Sequence, residues 1–211
     1  MRITAGRYRS RTIKMPSGIR PTQDKVRKAL FDILGDIEGF SFLELFAGSG
    51  AVAFEAISRG AKEAVVVEQD SASLKVIKGN LSSLGCANCT ILTLDALKAI
   101  EQFCRQQKEF DLIFLDPPYY KALATPRHKG LATHLALSDG KCATFCGGTP
   151  PSAAKKTLQT LGAYDILAPN GFVVAEHFKR DELPEEAGDL KLIKESNYGD
   201  TLLSFYSKVV H

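Results

Sequence analysis

The sequence lacks tryptophan and contains no apolar run that approaches the roughly 20 residues of a membrane-spanning helix. Its first residues, MRITAGRYRSR, include no apolar segment of the kind found in secretory signals, although their Arg-rich composition leaves a transit peptide as an alternative. The five cysteines form no regular framework, which is typical of free thiols in a reducing compartment. These absences predict a cytoplasmic protein with no membrane association.

The length of 211 residues and the apolar content of 45% are sufficient for one sizeable core. We therefore expect a single domain over residues 1–211. Two segments are expected to stand out from it: a basic arm and helix over 1–40, and an irregular basic insertion over 121–156.

Positive charge is concentrated at the amino terminus. Residues 1–28 hold nine Lys or Arg against one acid, so the rest of the chain is acidic although the net charge is +3. Because Lys and Arg neutralise phosphates, this distribution predicts nucleic-acid binding, with a solvated tail as the alternative. The candidate phosphate contacts are Arg7, Arg9, Arg11, Arg20 and Arg27.

Alternating strand-like and helix-like segments follow from residue 42. The predicted strands are 42–47, 63–68, 90–94, 111–116, 171–178, 190–195 and 201–207, and the predicted helices between them are 51–58, 71–84, 96–105 and 153–167. Repeated β-α units imply parallel strands joined by right-handed crossovers. The sequence thus predicts an α/β fold with a doubly wound, mostly parallel, seven-stranded Rossmann-like sheet.

A glycine turn after the first strand, ELFAGSGAVAFEA, carries the first chemical signal. Gly48 and Gly50 allow a ligand to approach the backbone, and Glu68 at the end of the second strand is placed to accept ribose hydroxyls. The pattern fits a nicotinamide dinucleotide or S-adenosylmethionine, and Ala53 completes a GxGxxA for the dinucleotide.

Two further acids favour S-adenosylmethionine. Glu44 lies beside the glycine turn, where a pyrophosphate would be repelled and a methionine ammonium attracted. Asp95 follows the third strand and could accept from an adenine amino group, although a helix N-cap explains it equally well.

The fourth strand ends in DPPY, residues 116–119. Pro117 and Pro118 stiffen the corner, so that Asp116 and Tyr119 are held at the carboxyl edge where open α/β sheets bind ligands. We predict that Asp116 and the Pro117 carbonyl accept hydrogens from a substrate amino group, and that Tyr119 stacks on its base.

With ELFAGSG, Glu68, Asp95 and DPPY in this order, the chain resembles class I S-adenosylmethionine-dependent methyltransferases that act on amino groups. Its segments RITAGRYRSRTI, RPTQDKVRKALFDIL and LELFAGSGAVAFEAISRGA resemble the RsmD family, bacterial methyltransferases of a guanine 2-amino group in small-subunit (16S) ribosomal RNA. The resemblance covers roughly residues 2–120 and 157–207.

The resemblance implies methylation of guanine N2 in 16S rRNA within a 30S assembly particle, by a monomer that needs no metal. It implies a catalytic corner, Asp116, Pro117, Pro118 and Tyr119, and a cofactor site made of Thr22, Glu44, Phe46, Gly48, Gly50, Glu68, Gln69, Asp95, Ala96 and Asp116. Three alternatives stay open: a DNA adenine-N6 or cytosine-N4 methyltransferase, an NAD-dependent oxidoreductase and a non-catalytic RNA-binding protein.

Residues 121–156 depart from the family pattern and carry six Lys or Arg against one acid, Asp139. This insertion could hold RNA beside the active corner, or be a solvated segment without function. Cys86, Cys89, Cys142 and Cys146 suggest a zinc site, but the first pair precedes the third strand and the second pair follows the fourth. Because these positions lie at opposite edges of a parallel sheet, we expect no zinc site of four cysteines. A zinc site built within the insertion alone, from His128, His134, Cys142 and Cys146, is geometrically possible, but these residues lack the regular spacing of zinc ligands.

Overall fold

The computed structural model describes residues 1–16, 24–118, 135–136, 142–143 and 151–209. Within these ranges the helices are α1 (Asp24–Leu34), α2 (Ala51–Ser58), α3 (Ser71–Leu84), α4 (Ala96–Arg105) and α5 (Ala153–Ala163). The strands are β1 (Ser41–Leu45), β2 (Glu63–Glu68), β3 (Cys89–Thr93), β4 (Phe110–Leu115), β5 (Leu135–Ala136), β6 (Cys142–Ala143), β7 (Leu167–Phe178), β8 (Glu186–Ala187), β9 (Leu190–Tyr198) and β10 (Thr201–Lys208).

Eight strands form one sheet in the order β3-β2-β1-β4-β7-β10-β9-β8. The five strands from β3 to β7 are parallel, whereas β10, β9 and β8 pair antiparallel. The strand order reverses beside β1, and β1 and β4 are adjacent there. The predicted α/β class and the mostly parallel sheet are therefore confirmed.

Both faces of the central strands are covered, which explains why β1 is buried at all five positions. Phe42, Phe114 and Val174 belong to the core on one face, which also includes residues of α1, α2 and the amino-terminal segment. Leu43 and Ile113 face the opposite core, with α4 and α5. The side of the sheet on which a side chain lies follows from strand alternation.

Two details of the predicted fold are wrong. The sheet has eight strands rather than seven, because Glu186–Ala187 adds a two-residue strand on the edge of β9. A two-residue strand is too short to show alternation in the sequence. The predicted insertion also ends before residue 156, because α5 begins at Ala153 and Ser152 caps it by accepting from Lys155 N at 3.1 Å. Within the insertion, β5 pairs with β6.

The amino-terminal segment is folded, and the solvated-tail alternative is wrong for residues 1–16. Arg2 and Thr12 form an antiparallel bridge, while Ile3, Tyr8 and Ile13 are buried in the core that includes α2. Gly6 packs against the carboxyl end of α2 so closely that a Cβ there would lie 1.7 Å from the Ser58 carbonyl oxygen. Glycine at this position allows the contact.

Glu55 joins this segment to two helices. Its fully buried carboxylate accepts hydrogen bonds from the Thr4 N–H at 2.9 Å and the Ala5 N–H at 3.1 Å. It also pairs with Arg59 at 2.9 Å and with Arg27 of α1 at 3.4 Å. Removal of one partner would leave a buried charge uncompensated, so the cluster fixes the arm against α1 and α2.

Among the described residues, no helix is long and apolar enough to cross a membrane.

Candidate active site

The loop between β1 and α2 has an unusual backbone. Phe46, Gly48 and Gly50 all have left-handed φ values, of 60°, 55° and 72°. Glycine adopts this region freely, whereas phenylalanine does so at an energetic cost that is typical of functional sites. A Cβ at Gly50 would lie 2.9 Å from the Phe54 ring, so a larger residue here meets both backbone strain and a close contact.

Glu68 supports this loop from the end of β2. One of its carboxylate oxygens accepts from the Gly48 N–H at 2.8 Å, and the other accepts from the Gln69 and Asp70 N–H groups at 2.8 and 2.9 Å. The side chain is half-buried, and a carboxylate has about four acceptor positions. Glu68 therefore fixes the glycine loop and retains capacity to accept further hydrogen bonds.

Asp95 caps α4 at the same edge of the sheet. Its carboxylate accepts from the Leu97 N–H at 3.0 Å and from the Lys98 N–H at 3.3 Å. The helix-cap interpretation is thus confirmed, and adenine binding by Asp95 stays a prediction. Next to it, Ala96 is buried, whereas Gln69 at the end of β2 is exposed.

Glu44 lies beneath the amino end of α2 and is 3% exposed. Its carboxyl group accepts from the Ala53 N–H at 2.9 Å. Burial raises the pKa of Glu44 to about 8, and the negative charges of Asp116 and Glu68 add to the increase. At neutral pH the group is therefore mainly protonated, and it becomes negative when a cation nearby lowers its pKa.

The corner after β4 is placed as predicted at the carboxyl edge. Leu112–Leu115 are buried, Asp116 follows them half-buried, and Pro117 is buried while Pro118 is exposed. Asp116 is close enough to Glu44 to raise its pKa. A small, open pocket lies beside the two prolines and is also lined by Glu176, His177 and the amino end of α5.

The candidate RNA contacts are only partly supported. Arg7, Arg9 and Arg11 are exposed on the arm, but Arg27 is fully buried against Glu55. The assignment of Arg27 to phosphate binding is wrong, because its charge already compensates a buried carboxylate. The sequence analysis missed this, although Arg27 lies one turn before Phe31, on the helix face that the apolar spacing directs inward.

Three predicted residues, Thr22, Arg20 and Tyr119, lie outside the described residues, and so do the side chains of Cys142, Cys146, His128 and His134. Cys86 and Cys89 are free, buried thiols before and at the start of β3. Burial raises the pKa of Cys89 to about 12. The part of the chain that the structure describes contains no group of three or more residues suited to a metal.

Glu176 is a site residue that the sequence analysis missed. It is 4% exposed, lies on β7 between β4 and β10, and lines the pocket beside Pro117. The signal was present in GFVVAEHF, because a carboxylate within a buried apolar strand is uncommon unless it is paired or functional.

Comparison with known proteins gives a consistent set of relatives. A family model described as "Conserved hypothetical protein 95" matches residues 1–146 and 149–207. The Bacillus subtilis protein named "Putative rRNA methyltransferase YlbH" is 31% identical over 212 residues, which cover 99% of each chain. Ribosomal RNA small subunit methyltransferase D of Haemophilus influenzae is 36% identical over 59% of this chain and 66% of its own length.

Solved structures have the same architecture. A hypothetical protein of Thermus thermophilus superposes with a TM-score of 0.74 at 28% identity, with 99% of each chain covered.

Proposed function

This chain belongs to the RsmD methyltransferase family, and we propose that it methylates the exocyclic N2 of a guanine in small-subunit ribosomal RNA. Its methyl donor is S-adenosylmethionine. The observation that carries the proposal is the position of the Asp116–Pro118 corner, next to the glycine loop and beside a pocket. The Bacillus subtilis and Haemophilus influenzae relatives are both named for action on rRNA, and the name of the second specifies the small subunit.

The residues at the carboxyl edge fit S-adenosylmethionine chemically. Glu68 would accept the ribose hydroxyls beside Gly48, and Asp95 would accept from the adenine amino group. Glu44 lies below the loop, where the methionine ammonium would turn its carboxyl into a carboxylate. By contrast, a pyrophosphate at the glycine loop would gain no attraction from Glu44 and would disfavour its ionised form, which favours S-adenosylmethionine over a nicotinamide dinucleotide.

When bound, S-adenosylmethionine supplies an electrophilic methyl group on a sulfonium. The guanine amino group is a weak nucleophile because its lone pair is delocalised into the ring. Asp116 and the Pro117 carbonyl would accept its two hydrogens, hold the nitrogen in line with the methyl and stabilise the positive charge that develops on it. Asp116 would also take the proton that the nitrogen releases. Tyr119 would provide a face on which the extruded base stacks.

The arm would contact RNA away from the chemistry. The Arg7 N–H donates to the Ser58 carbonyl at 2.7 Å, and Ser58 ends α2. Gly50 lies at the opposite end of this eight-residue helix, which spans about 12 Å. The Arg7 backbone therefore lies about a helix length from the glycine loop, so we expect a structured RNA or an assembly particle, which can reach both, to bind better than a short oligonucleotide.

Transfer of a labelled methyl group from S-adenosylmethionine tests the proposal. The purified protein is incubated separately with small-subunit particles from a strain that lacks this gene, large-subunit particles, and duplex DNA. We expect label only in small-subunit RNA, with N2-methylguanosine as the labelled nucleoside after digestion. Label in adenine N6 or cytosine N4 of the DNA would overturn the proposal in favour of the DNA alternative.

A further inference from the structure

The pocket beside Pro117 and Pro118 is formed by the carboxyl ends of β4 and β7 and by the amino end of α5. Its charged or titratable lining residues are Glu176, His177 and Asp181. The corner that would hold the substrate nitrogen thus forms one wall of this pocket, and the three side chains are candidates to contact the rest of the base.

Glu176 is the residue of the three that is best placed to reach the base. On the adjacent parallel strands β4 and β7, Leu115 pairs with Ala175, so Asp116 and Glu176 are the next residues along each chain. Neighbouring strands lie about 4.8 Å apart, and residues at one level direct their side chains to the same face. Extending the register by one residue puts Asp116 and Glu176 at the same level of neighbouring strands, with their side chains directed to the same face.

His177 and Asp181 are less suited to this role. The ring nitrogens of His177 already contact the Ser204 hydroxyl at 2.8 Å and the Phe178 carbonyl at 3.2 Å. Burial lowers the pKa of His177, and both ring nitrogens are engaged between β7 and β10. Asp181 follows β7 and is half-buried, whereas Glu176 is 4% exposed, so a hydrogen bond to Glu176 is better shielded from water.

We infer that Glu176 recognises the N1–H of the target guanine, and so selects guanine over adenine and cytosine. This inference rests on the proposed function and deepens it. On guanine, N1–H is a donor next to the amino group, whereas the ring nitrogen next to the amino group of adenine or cytosine is an acceptor. A carboxylate accepts from the first and repels the other two. With Asp116 on N2 and Glu176 on N1, the neighbouring strands would read neighbouring atoms of one base edge.

The test replaces one base. Once the target position is mapped, small-subunit RNA is assembled by splinted ligation with either guanosine or 2-aminopurine riboside at that position. 2-Aminopurine keeps the N2 amino group, but its N1 is an acceptor. The kcat/KM of methyl transfer is measured for the wild-type protein, for Glu176→Gln, whose amide can donate to N1, and for Glu182→Gln. Glu182 is an exposed carboxylate six residues away and outside the pocket lining, which makes it the matched control.

Wild-type protein should prefer guanosine by about 10- to 100-fold, the range for a base-edge hydrogen-bonding pair. Glu176→Gln should reduce this preference at least tenfold, whereas Glu182→Gln should show the same preference as the wild type. The affinity for S-adenosylmethionine should be the same in all three proteins. Equal kcat/KM of the wild type for both bases would overturn the inference while leaving guanine methylation intact. This comparison uses the wild-type protein alone and does not depend on the folding of a variant. Absence of methyl transfer to guanosine would overturn the proposed function, and the inference with it.

Discussion

Glu44→Gln should remove a specific part of the pH dependence of stability. In the folded protein burial raises the Glu44 pKa from 4.5 to about 8, whereas in the unfolded chain the group has its ordinary value. Between these values the folded state keeps a proton that the unfolded state has lost. The free energy of unfolding therefore falls as pH rises from about 4.5 to about 8, and levels off above that.

The magnitude follows from linkage. One proton of difference corresponds to about 1.4 kcal/mol per pH unit, so the Glu44 contribution changes by about 3 kcal/mol between pH 5.5 and pH 8. A glutamine has nearly the same shape, and its carbonyl oxygen can still accept from the Ala53 N–H. The variant should therefore keep the contact and lose the titration.

Urea unfolding of the ligand-free protein at several pH values between 5.5 and 8 measures this effect. The stability of the wild type relative to Glu44→Gln should decline by about 3 kcal/mol over the range. Glu101→Gln, which changes an exposed acid on α4, should follow the wild type. A difference between wild type and Glu44→Gln that stays constant with pH would refute the assignment of a buried, protonated carboxyl.

Three further outcomes are expected. Glu68→Gln should weaken S-adenosylmethionine binding by about 1.5–3 kcal/mol in calorimetry, the range for hydrogen bonds to a charged group, and tighter binding of NAD than of S-adenosylmethionine would contradict the cofactor assignment. Asp116→Ala should raise the activation free energy of single-turnover methyl transfer by about 3 kcal/mol with little loss of cofactor affinity. Asp116→Asn, which keeps an acceptor oxygen, should raise it by less. Equal increases for the two variants would exclude the acceptor role. Replacement of Arg7, Arg9 and Arg11 by Ala should flatten the salt dependence of RNA binding by about one unit of log-log slope per lost phosphate contact, and an unchanged slope would exclude the arm from the RNA interface.

Most of the parallel half of the fold could be predicted from the sequence. The predicted boundaries of α2, β2, α3 and α4 agree with the structure. Asp70 and Asp95 cap α3 and α4, whereas α2 and β2 follow from their apolar segments and the flanking glycines. The acids at the strand ends were also identifiable, since parallel strands bring their carboxyl ends to one edge. The β8 strand could not be identified from two residues.

Long-range pairing accounts for what the sequence did not reveal. Glu55 and Arg27 are 28 residues apart, and no local pattern indicates that a basic residue in a basic segment is used to neutralise a buried acid. The exposed arginines and Arg27 are indistinguishable by composition alone. Similarly, the proximity of Glu176 to Asp116 depends on the pairing of β4 with β7, which are well separated along the chain. In both cases the available signal was a single acid within an apolar segment: Glu55 in α2 and Glu176 in β7.

The central claim is tested most directly by mass spectrometry of small-subunit rRNA nucleosides from a strain in which this gene is deleted. We expect N2-methylguanosine to be lost from one position, restored by the wild-type gene and not restored by Asp116→Ala. An unchanged content of N2-methylguanosine at every small-subunit position, or loss of a different modified nucleoside, would contradict the account.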